Sequence, residues 1–495
     1  MAENVMDKVI ALSKRRGFIY PGSELYGGLA NTYDYGPVGT ELLRNIKNLW
    51  WTQFVVKRDD MVGLDASLIS HHKIWEASGH VASFADALVD CKNCKTRIRA
   101  DHLIEDYLEK NKATLEELDV ENLTLPDSLT KEAVITYIQE SKVEGLSEKQ
   151  LSDIIALHEI PCPNCHKFDW TPVRKFNQLF PVQLGIIEGE QGLAYLRGET
   201  AQGMFINFEN IVNSSRVRLP FGVGQLGKSF RNEITLGNSV FRTIEFEQGE
   251  IEYFFDPKKS EWEPIFENWK KQIWNFVTEK LGINEANLQW REHSDEERSF
   301  YSKRTEDLEY NFPFGFKELW GLAYRTDYDL KQHSQHSGKE LSIVDPETNE
   351  KVTPHVIEPA VGMGRLLLMT LCDAYTEDPS TGSGQARVVL KLNPKIAPVK
   401  VAVFPLLKNK PELVEKAREV FELVKNAVDG KVVWDDRGNI GKRYLAQDEI
   451  GTPFCVTVDF ESLENDEVTV RDRDSAGQKR IALKDLASYI VNALR

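Results

Sequence analysis

The feature that most constrains the fold is a pair of β-rich runs joined by a turn of glycine and asparagine. Residues 226–231 and 242–254 predict two neighbouring strands, with TLGNS between them. Arg231 ends the first strand and Glu233 follows two positions later, so we expect both side chains on one face. A guanidinium can bind phosphate oxygens, and a carboxylate can accept from an exocyclic amine. Alone, the pattern fits an ordinary surface hairpin equally well.

A second segment lies about 130 residues further along the chain. EPAVGMGRLLLMTL predicts a strand end, a turn of small residues and an apolar helix that begins near Arg365. The N–H groups at a helix start and a guanidinium together form an anion-binding site. GxGR alone would be weak evidence. Its combination with FRNE predicts a nucleotide site.

These segments resemble motifs of the class II aminoacyl-tRNA synthetases: FRNE resembles motif 2 and GMGR motif 3. YDYGPVGTELLRNIKNLWW resembles the motif 1 region of the glycyl-tRNA synthetase family, which forms part of the dimer interface there. RGETAQG, FRTIEFEQGEIEYF, HSGKEL, HVIEPAVGMGR, IGKRYLAQDEIGTP and TVRDRD extend the match over nearly the whole chain. The resemblance implies a homodimer that activates glycine with ATP to glycyl-adenylate and transfers it to the 3′ end of tRNA(Gly).

The resemblance also implies roles in the ATP site. Arg231 and Arg365 are the implied catalytic residues: the first holds the α-phosphate, and the second lies above the adenine ring near the γ-phosphate. Glu233 reads the adenine amine and Phe246 stacks under the ring. Glu318 is a candidate ligand for Mg²⁺, which binds few carboxylates together with phosphate oxygens. The implied ATP-binding residues are Arg231, Asn232, Glu233, Phe241, Arg242, Phe246, Glu318, Leu319, Gly362 and Arg365.

Glycine offers a binding site an ammonium, a carboxylate and no side chain, so its pocket should be anionic and tight. Glu199, Glu250 and Glu358 lie in matching segments, although each alone is typical of a surface or strand-face acid. Clustered carboxylates repel one another, which predicts a raised proton affinity that a bound ammonium relieves. The implied glycine-binding residues are Arg99, Glu199, Phe246, Glu250, Glu358, Ala360 and Gly362.

Ala360 departs from the family pattern, which often has serine after Glu-Pro. The pocket therefore loses a hydrogen bond, or a backbone group or a water replaces it. Exclusion of alanine must be steric, because one methyl group in a permissive pocket is worth only about 1–3 kcal/mol.

Two CxxC pairs are separated by 67 residues. Their members are Cys91, Cys94, Cys162 and Cys165. The pattern predicts a tetrahedral Zn²⁺ with four thiolates, a structural site because no coordination position stays open. Unliganded reduced cysteine is the alternative, and His102 or His166 could substitute as a ligand. Cys372 and Cys455 are typical of small core residues.

Composition and hydropathy separate four regions, and the resemblance implies an α+β catalytic domain on an antiparallel sheet, the class II synthetase fold. Residues 1–90 form its first part with motif 1, and residues 171–390 its core with motifs 2 and 3. Residues 91–170 form a zinc-binding, acidic helical insertion, and residues 391–495 an α/β anticodon-binding domain with alternating strands and helices. Residues 101–160 carry 15 acidic and 5 basic side chains. They predict either a mobile lid or a solvated helical face, and we favour the face.

The C-terminal region contains scattered basic residues that could contact RNA phosphates. They are Arg437, Lys442, Arg443, Arg471, Arg473, Lys479 and Arg480. No apolar run approaches the roughly 20 residues of a membrane span, and the N-terminus lacks a signal-peptide pattern, so we expect a cytoplasmic protein without a membrane partner.

Two other functions could use such a core. One is a non-catalytic accessory protein, which would be expected to lose some of the four residues Arg231, Glu233, Glu358 and Arg365; all four are present. The other is a ligase that adenylates a substrate for a different acceptor. The anticodon-like C-terminal region argues against it.

Overall fold

The computed structural model describes residues 5–83, 85–120, 123–143, 145–185, 192–233, 237–295, 297–299, 301–378 and 386–494. Part of the predicted turn TLGNS lies outside the described residues. Among the described residues, no helix combines the length and apolar character that a membrane crossing requires.

A seven-stranded sheet occupies the centre of the molecule. In chain order its strands are β1 (Met61–Gly63), β2 (Phe221–Phe230), β3 (Glu245–Phe255), β4 (Leu288–Glu292), β5 (Arg304–Phe312), β6 (Gly315–Thr326) and β7 (His355–Gly362). The order across the sheet is β4-β5-β6-β7-β3-β2-β1. All neighbours are antiparallel except β1, which is parallel to β2. Six strands thus form the antiparallel sheet that the sequence predicts.

The helix Met363–Ala374 follows β7 directly, as the sequence predicts, and packs against the helix Pro37–Trp51. Nine of its residues are buried, which explains why most of its sequence is apolar. Gly364 permits a close approach near its start, because a Cβ atom there would lie 2.8 Å from the carbonyl oxygen of Val240. The helix start is thereby fixed against the segment that precedes β3.

Shorter elements surround this centre. The other helices of the catalytic region are Val5–Arg16, His72–Ala77, His80–Ser83, Ala201–Ile206, Phe208–Ser215, Trp262–Asn275 and Tyr328–Ser337. One-turn 3₁₀ segments are Glu24–Tyr26, Ser239–Phe241 and Glu285–Asn287, and π turns are Thr52–Val56 and Phe276–Lys280. Small sheets are formed by Ile19–Pro21 with Tyr33–Tyr35, by Ile69–His71 with Leu193–Leu196 and Phe180–Gln183, by Ile343–Val344 with Lys351–Val352, and by Tyr375–Asp378 with Arg387–Leu390.

The insertion has a core of its own. Its sheet has the strand Ala85–Asp90 between Arg97–Arg99 and Arg174–Asn177, so two of its three strands lie beyond the predicted bounds 91–170. Its helices are Ala100–Glu116, Lys131–Glu140 and Glu148–Leu157. Where residues 101–160 have described side chains, no acidic one is buried, which favours the solvated face over the lid.

The C-terminal domain has a five-stranded mixed sheet. Its strands, in order across the sheet, are Val432–Trp434, Val401–Pro405, Phe454–Val458, Glu467–Asp472 and Gln478–Ala482. The first three are parallel and the last two join antiparallel. Its helices are Pro411–Ala427, Ile440–Asp448, Phe460–Asn465 and Leu483–Ala493. This is the small α/β arrangement that the alternating pattern predicts.

Candidate active site

A cavity of about 260 Å³ opens against β3, β5, β6 and β7 and the start of the helix Met363–Ala374. Most of the site residues predicted from the sequence line it. They are Glu199, Arg231, Glu233, Phe241, Arg242, Phe246, Glu250, Glu318, Glu358, Ala360, Gly362 and Arg365. Segments far apart in the chain therefore converge on one space, as the resemblance implies.

Three predicted residues do not line this cavity. Leu319 is fully buried in the main hydrophobic core. Asn232 follows β2, and its backbone N–H donates to the carbonyl oxygen of Gln178 at 2.9 Å. Arg99 belongs to the insertion and forms ion pairs with Asp86 and Asp101. Its electrostatic link to the cavity is an attraction to Glu233, on the nucleotide side and not beside the three glutamates.

Both predicted strands of the hairpin are shifted. The first begins five residues earlier, at Phe221, and ends at Phe230. The second begins at Glu245. Arg231 and Arg242 therefore lie in the connecting segments, where their side chains are free of the alternation that a strand imposes.

The floor of the deeper part is a row of cross-strand neighbours. Glu250 on β3 pairs with Gln225 on β2 and with Ala360 on β7, and Ala360 pairs with Gly321 on β6. Side chains at paired positions have Cβ atoms about 4.5–5.5 Å apart. A carboxylate therefore stands beside two residues with little or no side chain. Such a row leaves room for a small substrate only.

Donors from neighbouring segments hold two of the glutamates. The backbone N–H of Thr200 donates to Glu250 Oε2 at 3.0 Å, and its hydroxyl donates to the same oxygen. Glu199 lies 3.2 Å from His80 Nε2 and accepts from Gln202 Nε2 at 3.0 Å. Both carboxyl groups are more than 90% buried. Their positions are therefore fixed before any substrate binds.

The pKa values follow from this burial and crowding. Burial and the charges of Glu358 and Glu199 raise the pKa of Glu250 to about 8. Burial also raises the pKa of Glu358, against the attraction of Arg325. At Glu199 burial acts in the same direction, but the charges of His80 and Arg325 outweigh it and lower the pKa. Two of the three carboxyls thus show the raised proton affinity that clustering predicts.

Arg325 is a site residue that the sequence did not single out. Its guanidinium is 1% exposed and donates to both oxygens of Asp329, at 2.8 and 2.9 Å, and to Glu358. The ring of Tyr301, which lines the cavity, stacks 3.9 Å from the same guanidinium. The i, i+4 spacing of Arg325 and Asp329 was the available signal, but such pairs are common on helix surfaces.

The nucleotide side is built from arginines and aromatic rings. The Arg231 guanidinium lies 5.4 Å from the ring centroid of Phe246, and its Nε donates to the carbonyl oxygen of Gly198 at 3.0 Å. Arg365 lies over Phe241 at 4.6 Å and forms an ion pair with Glu318 at 2.9 Å. Flat cations beside aromatic faces suit a base and a phosphate chain.

Further polar residues line the cavity beside Glu318. Asp307 on β5 contacts His293 Nε2 at 2.7 Å, and Ser299 and Thr305 lie nearby in the lining. None belongs to a segment with a recognisable pattern, so these residues could not be selected from the sequence alone.

Residues 222–229, GVGQLGKS, match the phosphate-loop pattern GxxxxGK[ST]. That pattern requires a loop that enters a helix. Here the segment lies within the ten-residue strand β2. The segment therefore does not form a phosphate-binding loop.

The four cysteines of the two CxxC pairs meet in the insertion, with all sulfur atoms within 4.8 Å of one another. Cys91 Sγ lies 3.6 Å from Cys165 Sγ, and Cys94 Sγ lies 3.6 Å from Cys162 Sγ. Four thiolates around one Zn²⁺, each about 2.3 Å away, require sulfur separations of this size. The cluster is complete without a histidine.

The other two cysteines pack in hydrophobic cores, as the sequence predicts, and the two candidate histidines take no part in the cluster. Cys455 is buried in the C-terminal domain, and Cys372 packs against the main core. His102 and His166 are exposed and do not belong to the sulfur cluster.

Three of the seven C-terminal basic candidates are structural. Arg443, Arg471 and Arg473 are 2–6% exposed and bond to carbonyl oxygens and buried carboxylates of their own domain. Arg437, Lys442 and Lys479 are exposed. Only the exposed members remain available to an RNA.

Comparison with known proteins gives a consistent result. Residues 86–178 match the family model of the glycyl-tRNA synthetase insertion domain 1, and residues 400–493 match that of the anticodon binding domain. The chain is 47% identical over 494 residues to the glycine–tRNA ligase of Clostridium acetobutylicum, covering 100% of this chain and 99% of the relative. It is 48% identical to the glycine–tRNA ligases of Clostridium tetani and of Caldanaerobacter subterraneus subsp. tengcongensis, in both cases covering 99% of this chain and 98% of the relative.

Proposed function

The chain belongs to the glycine–tRNA ligase family, and we propose that the cavity of its central sheet activates glycine with ATP and transfers it to the 3′ end of tRNA(Gly). The observation that carries this proposal is the convergence of two opposite chemistries on one cavity. Three buried glutamates suit an ammonium, and the arginines beside them suit phosphates. A site that binds an amino acid next to ATP needs both an acidic group for the ammonium and cations for the phosphates.

The reaction has two steps. An oxygen of the glycine carboxylate attacks the α-phosphorus of ATP, the bond from that phosphorus to the β-phosphate bridging oxygen breaks, and pyrophosphate leaves. The terminal ribose hydroxyl of tRNA then attacks the carbonyl carbon of glycyl-adenylate, and AMP leaves. Neither step needs a protein nucleophile, so positioning and charge stabilisation provide the rate enhancement.

Each group of residues has one task in this scheme. Arg231 stabilises the negative charge on the α-phosphate during attack, and Arg365 neutralises the phosphate tail. Glu233 accepts from the adenine amine, and Phe246 stacks against the ring. Glu250 accepts from the glycine ammonium together with the two glutamates beside it. Because Ala360 has no hydroxyl, the donors that hold glycine in place are backbone groups or water.

The residues beside Arg365 fit a magnesium ion. Glu318 is half exposed at the cavity, and the carboxyl group of Asp307 lines the same space. Magnesium prefers one or two carboxylates together with phosphate oxygens. When bound with ATP, the ion would neutralise phosphate charge and favour the departure of pyrophosphate.

The sulfur cluster supports a structural zinc. Cys94 accepts a hydrogen bond from Thr96, which lowers the pKa of its thiol to about 5 and favours the thiolate that a metal requires. We expect about one zinc per chain by metal analysis, and almost none in a Cys162→Ser, Cys165→Ser double variant. Less than about half an equivalent in carefully prepared wild type would contradict the assignment.

Assembly as a homodimer is part of the proposal. The loop after the strand Ile19–Pro21 exposes Leu25, Tyr26 and Leu29 by 88%, 89% and 60%. Large apolar side chains exposed side by side are typical of an interface. Sedimentation equilibrium should give a dimer for the wild type and a shift towards monomer for Leu25→Ser combined with Tyr26→Ser. A variant that remains dimeric to the same extent as the wild type would show that these residues do not form the interface.

Two assays on the wild type test the function. Glycine-dependent exchange of pyrophosphate into ATP reports the first step, and charging of purified tRNA(Gly) reports the second. Alanine and serine serve as controls, and both should fail. No exchange with any amino acid would favour a non-catalytic accessory protein, whereas exchange without tRNA charging would favour a ligase with a different acceptor.

A further inference from the structure

Glu252 is a buried carboxyl group next to the glycine pocket, and it does not line the cavity. It lies on β3 two residues after Glu250, so both side chains are on the same face of the strand. Its side chain is 0% exposed. Among the residues that the structure describes, neither of its carboxyl oxygens has a hydrogen-bond donor.

The sheet register puts Glu252 opposite another carboxyl group. The pairs Glu250–Ala360 and Tyr253–Ile357 share one register, which aligns Glu252 with Glu358. A hydrogen bond with Glu252 is among the influences that favour the ionised form of Glu358 and so lower its pKa, against the effect of burial. Like charges at directly opposed positions of a sheet are destabilising, and two buried carboxylates in contact cannot both be ionised.

The cations of the pocket are already committed. Arg325 pairs with Asp329 and Glu358, and His80 contacts Glu199. Burial lowers the pKa of the other nearby imidazole, His333, to about 4, so it contributes no charge near neutral pH. Among the described residues, five buried carboxyl groups of the pocket therefore share the guanidinium groups of Arg325 and, at Glu250, of Arg197, together with the imidazole of His80. The charged groups that act on Glu252 are Glu358, Arg325, Glu250 and Asp329, three of them acidic.

We propose that Glu252 is a positioning residue of the glycine site: it is held as a neutral carboxylic acid and donates its proton in a hydrogen bond to Glu358. This inference rests on the proposed function and adds a residue to it. The hydrogen bond and the Arg325 guanidinium together hold Glu358 ionised and aimed into the cavity, where it accepts from the glycine ammonium. Glu252 itself stays out of contact with substrate.

Three variants distinguish a neutral donor from an ionised ligand. Glu252→Gln keeps the shape and a donor but has no charge, so its KM for glycine in pyrophosphate exchange should stay within about threefold of wild type. Glu252→Met keeps the volume but has no donor, and its KM for glycine should rise by about tenfold or more. Glu358→Gln removes the ammonium acceptor and should lose most activity. All should be checked for folding by thermal unfolding.

Infrared difference spectroscopy reports whether Glu252 is protonated. Because the measurement needs no substrate, its result does not depend on the proposed function. A protonated carboxylic acid has a carbonyl stretch at higher frequency than the carboxylate bands. Wild type minus Glu252→Gln at neutral pH should show one such acid band. The control Glu245→Gln, at the exposed start of the same strand, should show only carboxylate bands. This measurement and the Gln variant decide the matter even if Glu252→Met does not fold.

Three outcomes would overturn the inference. Glu252→Gln as inactive as Glu358→Gln would mean that Glu252 acts as a carboxylate. A folded Glu252→Met with wild-type KM would mean that it positions nothing. A difference spectrum without an acid band would mean that it is ionised. If wild type itself lacks glycine-dependent exchange, the proposed function fails, but the spectrum still reports the state of Glu252.

Discussion

The catalytic sheet and the C-terminal domain each bury a cluster of charged side chains, and the two clusters differ in how their charges balance. In the C-terminal domain, Asp448 accepts from Arg471 at 2.8 and 3.0 Å, and it also accepts at 3.1 Å from Arg387 of the catalytic region. Arg387 also pairs with Asp378 at 3.3 Å. Two guanidinium groups thus meet two carboxylates, and the charges cancel within the chain.

In the glycine pocket the charges do not cancel. Its carboxyl groups outnumber its cations, and the excess is held in check by protons on Glu250 and Glu252. Burying unpaired charge costs stability, so a chain retains such an excess only where a ligand completes it. The balance of charge, and not burial alone, therefore distinguishes a structural charge cluster from a binding site.

The largest effect is expected for Glu358→Ala. The change removes an ammonium acceptor and leaves Arg325 short of a buried partner, so glycine-dependent exchange should fall by about 10³-fold or more. The matched control is Glu209→Ala, on the exposed face of the helix Phe208–Ser215, which should retain wild-type rates. Wild-type exchange in Glu358→Ala would refute the ammonium assignment.

Asp448→Ala makes the corresponding change in the balanced cluster. Arg387 and Arg471 would both lose a buried partner, so the free energy of unfolding should fall by about 3–5 kcal/mol. Thermal and denaturant unfolding measure this loss. Glycine-dependent exchange needs no tRNA and should persist below the unfolding temperature. Loss of exchange at unchanged stability would show that the Asp448 cluster serves the reaction and is not only structural.

The ionisation of Glu250 should determine how glycine affinity depends on pH. Its pKa is raised to about 8 by burial and by the charges of Glu358 and Glu199, and an ammonium favours the ionised form. Below about pH 8 glycine must displace a proton, so KM should fall as pH rises, by up to about tenfold per unit. Glu250→Gln should remove the slope. A flat wild-type profile would be incompatible with this account.

The smallest effect concerns the exposed basic residues of the C-terminal domain. The double change Arg437→Ala, Lys442→Ala should raise KM for tRNA by about three- to tenfold and weaken its salt dependence. Exchange should not change. Arg473→Ala is the contrast, because its buried guanidinium donates to the carbonyl oxygens of Gly451 and Leu392, and its loss should lower stability. Equal losses of stability in both variants would contradict the distinction between exposed RNA-binding residues and buried structural ones.

Much of the site could be predicted because its residues lie in segments that resemble known motifs. Glu199, Glu250 and Glu358 were selected in this way and meet in one cavity. Arg325 was missed because its role depends on β6 lying beside β7, which no local pattern states. Glu252 had a signal in the alternation of EQGEIE, but the alternation does not reveal that a second carboxyl lies opposite.

The C-terminal domain illustrates the reverse error. Arg471 and Arg473 in TVRDRD have the composition of a phosphate-binding surface, yet both are buried. Strand alternation places them on one face without saying which face is buried. Leu319 likewise shares a segment with Glu318, but the alternation directs it into the core while Glu318 borders the cavity.

The most direct test is the number of protons released when glycine binds. Glycine is titrated calorimetrically into the complex with a non-hydrolysable ATP analogue, in buffers of different ionisation enthalpy at about pH 7. The account predicts release of close to one proton in wild type and none in Glu250→Gln. Binding to wild type without proton release would mean that the pocket is already fully ionised, and would contradict the claim that protons balance its excess charge until glycine arrives.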